Sequence, residues 1–171
     1  LVAKKRIKAE AGEEEGVKVS IPGKTELLYY EQPFEPTFEA EVLDVTGDGC
    51  VILERTLLSP EGGGQPADHG TLEKTGSGLI YSVVDVQKSG DAVLHRLKEP
   101  GGLAKGDRVT GKVDMRRRLA HARHHTATHL VHDSAKRVLG RHVWQAGAQK
   151  SEERARLDIS HYRRITEAEL K

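Results

Sequence analysis

Phe38-Glu39-Ala40-Glu41-Val42-Leu43-Asp44-Val45 alternates apolar and polar side chains, and Gly47-Asp48-Gly49 separates it from the apolar run Cys50-Val51-Ile52-Leu53. A period of two marks a strand with one buried face, and a glycine-rich break between two such runs is a hairpin signal. The pattern repeats downstream. Gly70-Thr71-Leu72-Glu73 and residues 79–86 flank Thr75-Gly76-Ser77-Gly78, and residues 92–97 and 107–113 follow as further short runs. About six short strands joined by glycine turns, with no helix between them, predict a small antiparallel β-barrel over residues 36–115.

Ahead of the barrel, the basic cluster Lys4-Lys5-Arg6-Ile7-Lys8 gives way to the acidic Glu13-Glu14-Glu15, a charge block that reads as a solvated linker. Val17-Lys18-Val19-Ser20-Ile21 alternates as a strand and Pro22-Gly23 turns it, while Pro33 and Pro36 mark the start of the next unit. Inside the barrel region, Ser59-Pro60-Glu61-Gly62-Gly63-Gly64-Gln65-Pro66-Ala67-Asp68 is unlike its surroundings. Its three glycines allow backbone to approach a ligand or a neighbouring unit, and the Gln65 amide could read that ligand. No lysine and no helix start follow, which argues against a phosphate cradle, and by spacing alone the stretch is a wide turn.

After the barrel the period changes. Asp114 is an N-cap candidate and Gly140 a natural stop, so a helix is expected between them. Five of the nine histidines fall between His121 and His132. On a helical wheel His121, His132, His125 and His129 lie within about 80° of one another, with Leu130, Ala127, Ala120, Val138 and Val131 on the far side. This predicts that the apolar side packs on the scaffold and that the histidines face solvent or a cleft. Imidazoles four apart on a helix can share one metal ion. His121 with His125 and His125 with His129 have that spacing, while His129 and His132 are three apart; spacing alone does not choose. Thr126 stands where a zinc protease carries its general-base Glu, so that chemistry is a poor match.

The chain has 171 residues, enough for one domain or two small ones, with 31% charged, 36% hydrophobic and 4% aromatic residues. That composition predicts a soluble protein with much solvated surface. A net charge of +1 selects no partner globally, but residues 116–150 carry eight basic side chains against the single acid Asp133. Such a local concentration suits a phosphate backbone. The one cysteine, Cys50, excludes an intrachain disulfide and fits a reducing, cytoplasmic setting, and no apolar run is long enough for a membrane span. Residue 1 is Leu, and residues 166–171 look like the start of a helix cut short, so the chain is expected to be an excised piece.

His125-Thr126-Ala127-Thr128-His129-Leu130, then His142-Val143-Trp144-Gln145-Ala146-Gly147, then Arg156-Leu157-Asp158-Ile159-Ser160-His161 resembles the editing domain of the alanyl-tRNA synthetases. Upstream, Pro60-Glu61-Gly62-Gly63-Gly64-Gln65-Pro66-Ala67-Asp68-His69-Gly70 is similar to the glycine-rich motif of the β-barrel that precedes that domain. The resemblance covers residues 37–171, and Tyr29-Tyr30 looks like the junction leaving the aminoacylation half of an archaeal-type enzyme. It implies an α+β arrangement: a junction over 1–35, the barrel over 36–115, and the first part of an editing domain over 116–171.

The resemblance further implies zinc-dependent hydrolysis of serine or glycine wrongly esterified to tRNA(Ala). His125 and His129 would be the HxxxH zinc ligands. The family's second ligand motif, CxxxH, does not occur in this sequence. Gln145 would lie in the editing pocket and read the serine hydroxyl, with Thr126 and Thr128 as further pocket candidates. Gly62, Gly63, Gly64 and Gln65 would sit where the barrel meets that pocket, and Arg118, Arg123, Lys136, Arg137 and Arg141 are the candidate tRNA contacts. ATP and Mg would belong only to the aminoacylation module of the parent enzyme, for which a homodimer is the expected assembly. Two other readings fit the same residues: a stand-alone trans-editing hydrolase, and a non-catalytic tRNA-binding module.

Overall fold

The computed structural model describes residues 24–99 and 101–170. The charge clusters and the expected strand at residues 17–21 lie outside them. Ten strands and one long helix follow in order: β1 (Glu26–Leu27), β2 (Thr37–Val45), β3 (Cys50–Leu53), β4 (Arg55–Thr56), β5 (Gly70–Lys74), β6 (Ile80–Ser89), β7 (Ala92–Leu97), β8 (Arg108–Val113), α1 (Met115–Leu139), β9 (Trp144–Lys150) and β10 (Ala155–Ser160). Short 3-10 turns lie at Leu28–Tyr30 and Glu167–Glu169.

Six strands close a barrel in the order β2-β3-β7-β6-β5-β8, with every pairing antiparallel. Alternation works as the sequence predicts. Phe38, Ala40 and Val42 of β2 point inward and join Val51, Leu53, Leu72, Val83, Val93 and Val109 in one core. Register shifts at Val42/Asp44 and Val83/Asp85 put bulges in β2 and β6, and bulges add the bend that closing six strands requires. Gly111 of β8 pairs with Phe38, and a Cβ there would strike the phenyl ring, so the glycine makes room for the largest core side chain of β2.

Within this wall, β3 is buried on both faces. The lead-in segment lies alongside: the Thr25 hydroxyl donates to Leu53 O and accepts from Val93 N, and β1 pairs in parallel with β4. His95 of β7 is fully buried between Val51 O, 3.0 Å from Nδ1, and the Thr56 hydroxyl, 2.9 Å from Nε2. Burial pushes its pKa down to about 4.

Helix α1 leaves the barrel at Asp114, whose carboxylate accepts from Arg117 N as an N-cap; Gly140 N closes the other end on Lys136 O. The helix packs on the β9–β10 hairpin. Here the wheel reading is corrected. Arg118, His121 and Thr128 are the buried residues of α1, and His125 and His132 on the same stripe are half-buried. Leu130, Val131 and Val138, expected against the scaffold, are exposed. The histidine stripe is therefore turned inward at His121, His125 and His132, while His129 is exposed as expected. Two arginines anchored to the barrel fix the helix's rotation, a constraint that apolar periodicity does not register. Of residues 166–171, expected to begin a helix, the described ones, 166–170, form only the 3-10 turn, with Thr166 and Glu169 capping each other.

Candidate functional site

Asp68, 2% exposed, organises the junction between barrel and helix. Its Oδ2 accepts from Ser59 N at 2.8 Å and from the Arg118 guanidinium at 2.6 Å. Arg118 also donates to Pro33 O and Leu57 O, and Arg117 donates to Ala67 O and to Glu152. One carboxylate thus closes the glycine-rich stretch on itself and ties it to the first turn of α1.

Inside that stretch, Gly62 and Gln65 bond to each other through both backbone pairs, leaving Gly63 and Gly64 as a two-residue turn with φ of +59° and +74°. Two successive positive φ values define a tight turn that favours glycine at both positions. The tip of the turn lies on β9: a Cβ on Gly64 would come within 2.8 Å of Ala148 O, and Lys150 Nζ donates to Gly63 O at 3.2 Å. The expected wide turn is therefore a compact plug seated on the hairpin, and its glycines permit a backbone-to-backbone approach.

Beside the plug run the histidines. His124 Nδ1 lies 2.7 Å from Ser151 O, fastening the helix to the end of β9. One residue on, His125 Nε2 and His129 Nε2 face each other at 3.0 Å, with ring centroids 4.8 Å apart. Of the histidine pairs that the spacing allows, this is the one whose ring nitrogens converge. Two imidazole nitrogens that close can both reach one zinc ion at the roughly 2.0–2.1 Å of such a bond, so the pair fits as two ligands of a zinc site. No third His, Cys, Asp or Glu completes a cluster among the described residues. Cys50 is buried in the barrel wall, its thiol directed at Asp48. Burial, Lys150 and His129 all hold the His125 pKa below the ordinary imidazole value, which favours the neutral, lone-pair-bearing form.

The remaining candidates are placed as follows. Gln145 is exposed on β9 and Thr126 is exposed on α1; among the described residues neither side chain has a hydrogen-bond partner. The Thr128 hydroxyl is turned back onto His124 O at 2.7 Å and is buried. Arg123, Arg137 and Arg141 are exposed, and Lys136 lies over the Trp144 ring. Arg118 differs from the rest, since its guanidinium is enclosed with Asp68 and two carbonyls and presents no free face to a phosphate. Sequence reasoning missed Lys150 as a site residue, because its burial depends on residues 144–150 forming a strand beneath the glycine turn. A second imidazole pair, His142 Nε2 and His161 Nδ1, sits 2.9 Å apart at the open end of the hairpin.

Residues 4–117 match the family model described as tRNA synthetases class II (A). The chain is 65% identical over 148 residues to an alanine–tRNA ligase of Methanothrix thermoacetophila, covering 86% of this chain and 16% of that one. Over 176 residues it is 49% identical to the alanine–tRNA ligase of Methanococcoides burtonii, with 99% and 19% covered. The corresponding figures for Pyrococcus abyssi are 50% over 147 residues, with 86% and 16% covered. The chain spans about a sixth to a fifth of the length of these curated relatives.

Proposed function

Since the chain belongs to the class II tRNA synthetase family of alanine–tRNA ligases, we propose that it forms part of such a ligase and contributes half of a site that hydrolyses mischarged tRNA(Ala). The observation that carries this reading is the convergence of His125 Nε2 and His129 Nε2 at 3.0 Å, on a helix whose adjoining strand bears the glycine plug.

The reaction is attack of water on the ester carbonyl of a seryl or glycyl group, with release of the amino acid and return of a proton to the ribose oxygen. An aminoacyl ester is already activated, so positioning and stabilisation of the tetrahedral oxyanion dominate the catalytic demand. Zinc held by His125 and His129, with further ligands from outside this chain, would supply Lewis-acid polarisation or an activated water. Burial, and then the charges of Lys150 and His129, hold the His125 pKa below the ordinary imidazole value, which favours the lone-pair-bearing form. Gln145 and Thr126 have free polar groups for the serine hydroxyl. Thr128, already bonded to His124 O, shapes the wall instead of touching substrate. A pocket built around that hydroxyl rejects alanine because its polar groups would be left unpaired.

The test is deacylation of Ser-tRNA(Ala) by the longer ligase carrying His125→Ala and His129→Ala. The expected result is a fall of at least about a hundredfold in hydrolysis with aminoacylation retained. Unchanged hydrolysis would overturn the assignment.

A further inference from the structure

Lys150 is 5% exposed, yet its ammonium makes one hydrogen bond, to Gly63 O at 3.2 Å, and pairs with no carboxylate among the described residues. A lysine ammonium has three donors, and enclosing it without an anion weighs against stability. A methionine would fill much the same space without that penalty. The fold therefore keeps a charge that its packing does not require, as folds do where function opposes stability.

The contacts of Lys150 define what the charge is for. Ala148 and Lys150 stand two apart on one face of β9, and both meet the plug: Gly64 rests on Ala148 O, while Lys150 holds the carbonyl of Gly63. His124 Nδ1 lies 2.7 Å from the carbonyl oxygen of the next residue, Ser151, which brings Lys150 beside the turn of α1 that bears His125. The same proximity is felt at His125, whose pKa is lowered first by burial and then by the Lys150 charge.

We propose that Lys150 is a positioning residue for the hydrolysis of mischarged tRNA(Ala), acting through Gly63 O to hold the glycine plug at a fixed place relative to the His125–His129 pair. It acts on the reaction through the plug and does not itself have to touch the ester. A misplacement of about 1 Å in a reacting geometry can slow a reaction about a hundredfold, so loss of the bond is read in kcat more than in KM. The inference rests on the editing reading for its reaction; the burial of Lys150 and its bond to the plug stand independently of it.

The experiment measures Ser-tRNA(Ala) hydrolysis by the longer ligase and by its Lys150→Met and Lys150→Arg variants, with thermal melts and hydrogen exchange on each. Lys150→Met is expected to lower kcat about tenfold or more and to change KM less than about twofold, with aminoacylation retained. The backbone amides of Gly62 and Gln65, which bond within the plug, should exchange faster in that variant. Its melting temperature should equal or exceed the natural one, because an unpaired buried charge has been replaced by an apolar chain. Lys150→Arg, which keeps the charge and a donor for Gly63 O, should recover kcat to within about threefold. Natural kcat in Lys150→Met, or no recovery in Lys150→Arg, would overturn the inference. A loss of kcat that comes with a lowered melting temperature or a failure to fold would overturn it too, since Lys150 would then be structural. A natural ligase inert toward Ser-tRNA(Ala) would remove the editing reading and this role with it, whereas an active ligase unaffected by Lys150→Met overturns the inference alone.

Discussion

His95 and Gly64 show what single positions contribute. His95 is held neutral inside the barrel with a folded pKa near 4, below the unfolded value near 6.5. The unfolded chain therefore binds the extra proton first as pH falls. The stability that neutral His95 contributes is complete above about pH 6.5 and is lost progressively down to about pH 4, roughly 3 kcal/mol in all. An NMR titration of the ring nitrogens should give a midpoint near 4, and urea unfolding should show this decline; a midpoint near 6.5 would contradict the burial. Gly63 and Gly64 form a natural control pair. Both have positive φ, but a Cβ on Gly63 meets open space and one on Gly64 meets Ala148 O. Gly63→Ala should cost about 1–2 kcal/mol of unfolding free energy and Gly64→Ala distinctly more. Equal costs in thermal melts would mean that the turn does not bear on β9. That these glycines permit a close approach was legible in the sequence; which one needs it depends on a strand about 85 residues further along.

Among the elements, the barrel strands were legible because alternation and glycine turns coincide from Thr37 to Val113. So were both ends of α1, from Asp114 and Gly140. The rotation of α1 was not. Its apolar residues predict the opposite face, and the deciding interaction is the buried Arg118–Asp68 pair, which joins residues 50 apart and leaves no periodic trace. Asp68→Ala should therefore destabilise by about 3 kcal/mol or more, since Arg118 would keep its charge in an enclosed site without its anion. Asp68→Asn, which keeps the shape and can still accept, should cost less. Denaturant midpoints read both, and a loss below about 1 kcal/mol for Asp68→Ala would show that the helix is held by other means. The pair of histidines to prefer was likewise open on spacing; the resemblance implies His125 and His129, whose Nε2 atoms lie 3.0 Å apart.

For the molecule as a whole, α1 and β10 leave an apolar groove of about 440 Å³ lined by Leu130, Val131, Val138, Ile159 and Leu170. Exposed apolar patches of this kind drive association. The chain by itself should self-associate in sedimentation experiments, and Leu130→Lys with Val131→Glu should shift it toward monomer; a monodisperse monomer without those changes would contradict this. Among the described residues no helix is long and apolar enough to cross a membrane. Lys150 links the two parts of the proposed site: its ammonium donates to Gly63 O of the plug, and its charge acts on His125 of the helix. The sequence contains both motifs but no CxxxH, and under the proposed editing function His125 and His129 would supply two of the zinc ligands.

The most direct measurement is hydrolysis of Ser-tRNA(Ala) by this chain alone and by the longer ligase that carries it, with zinc content determined in each. The account predicts that the longer form binds zinc and hydrolyses the ester, that this chain alone does neither to a comparable extent, and that His125→Ala with His129→Ala removes both properties from the longer form. A longer form that leaves Ser-tRNA(Ala) intact, or that hydrolyses it equally well without the two histidines, would contradict the account.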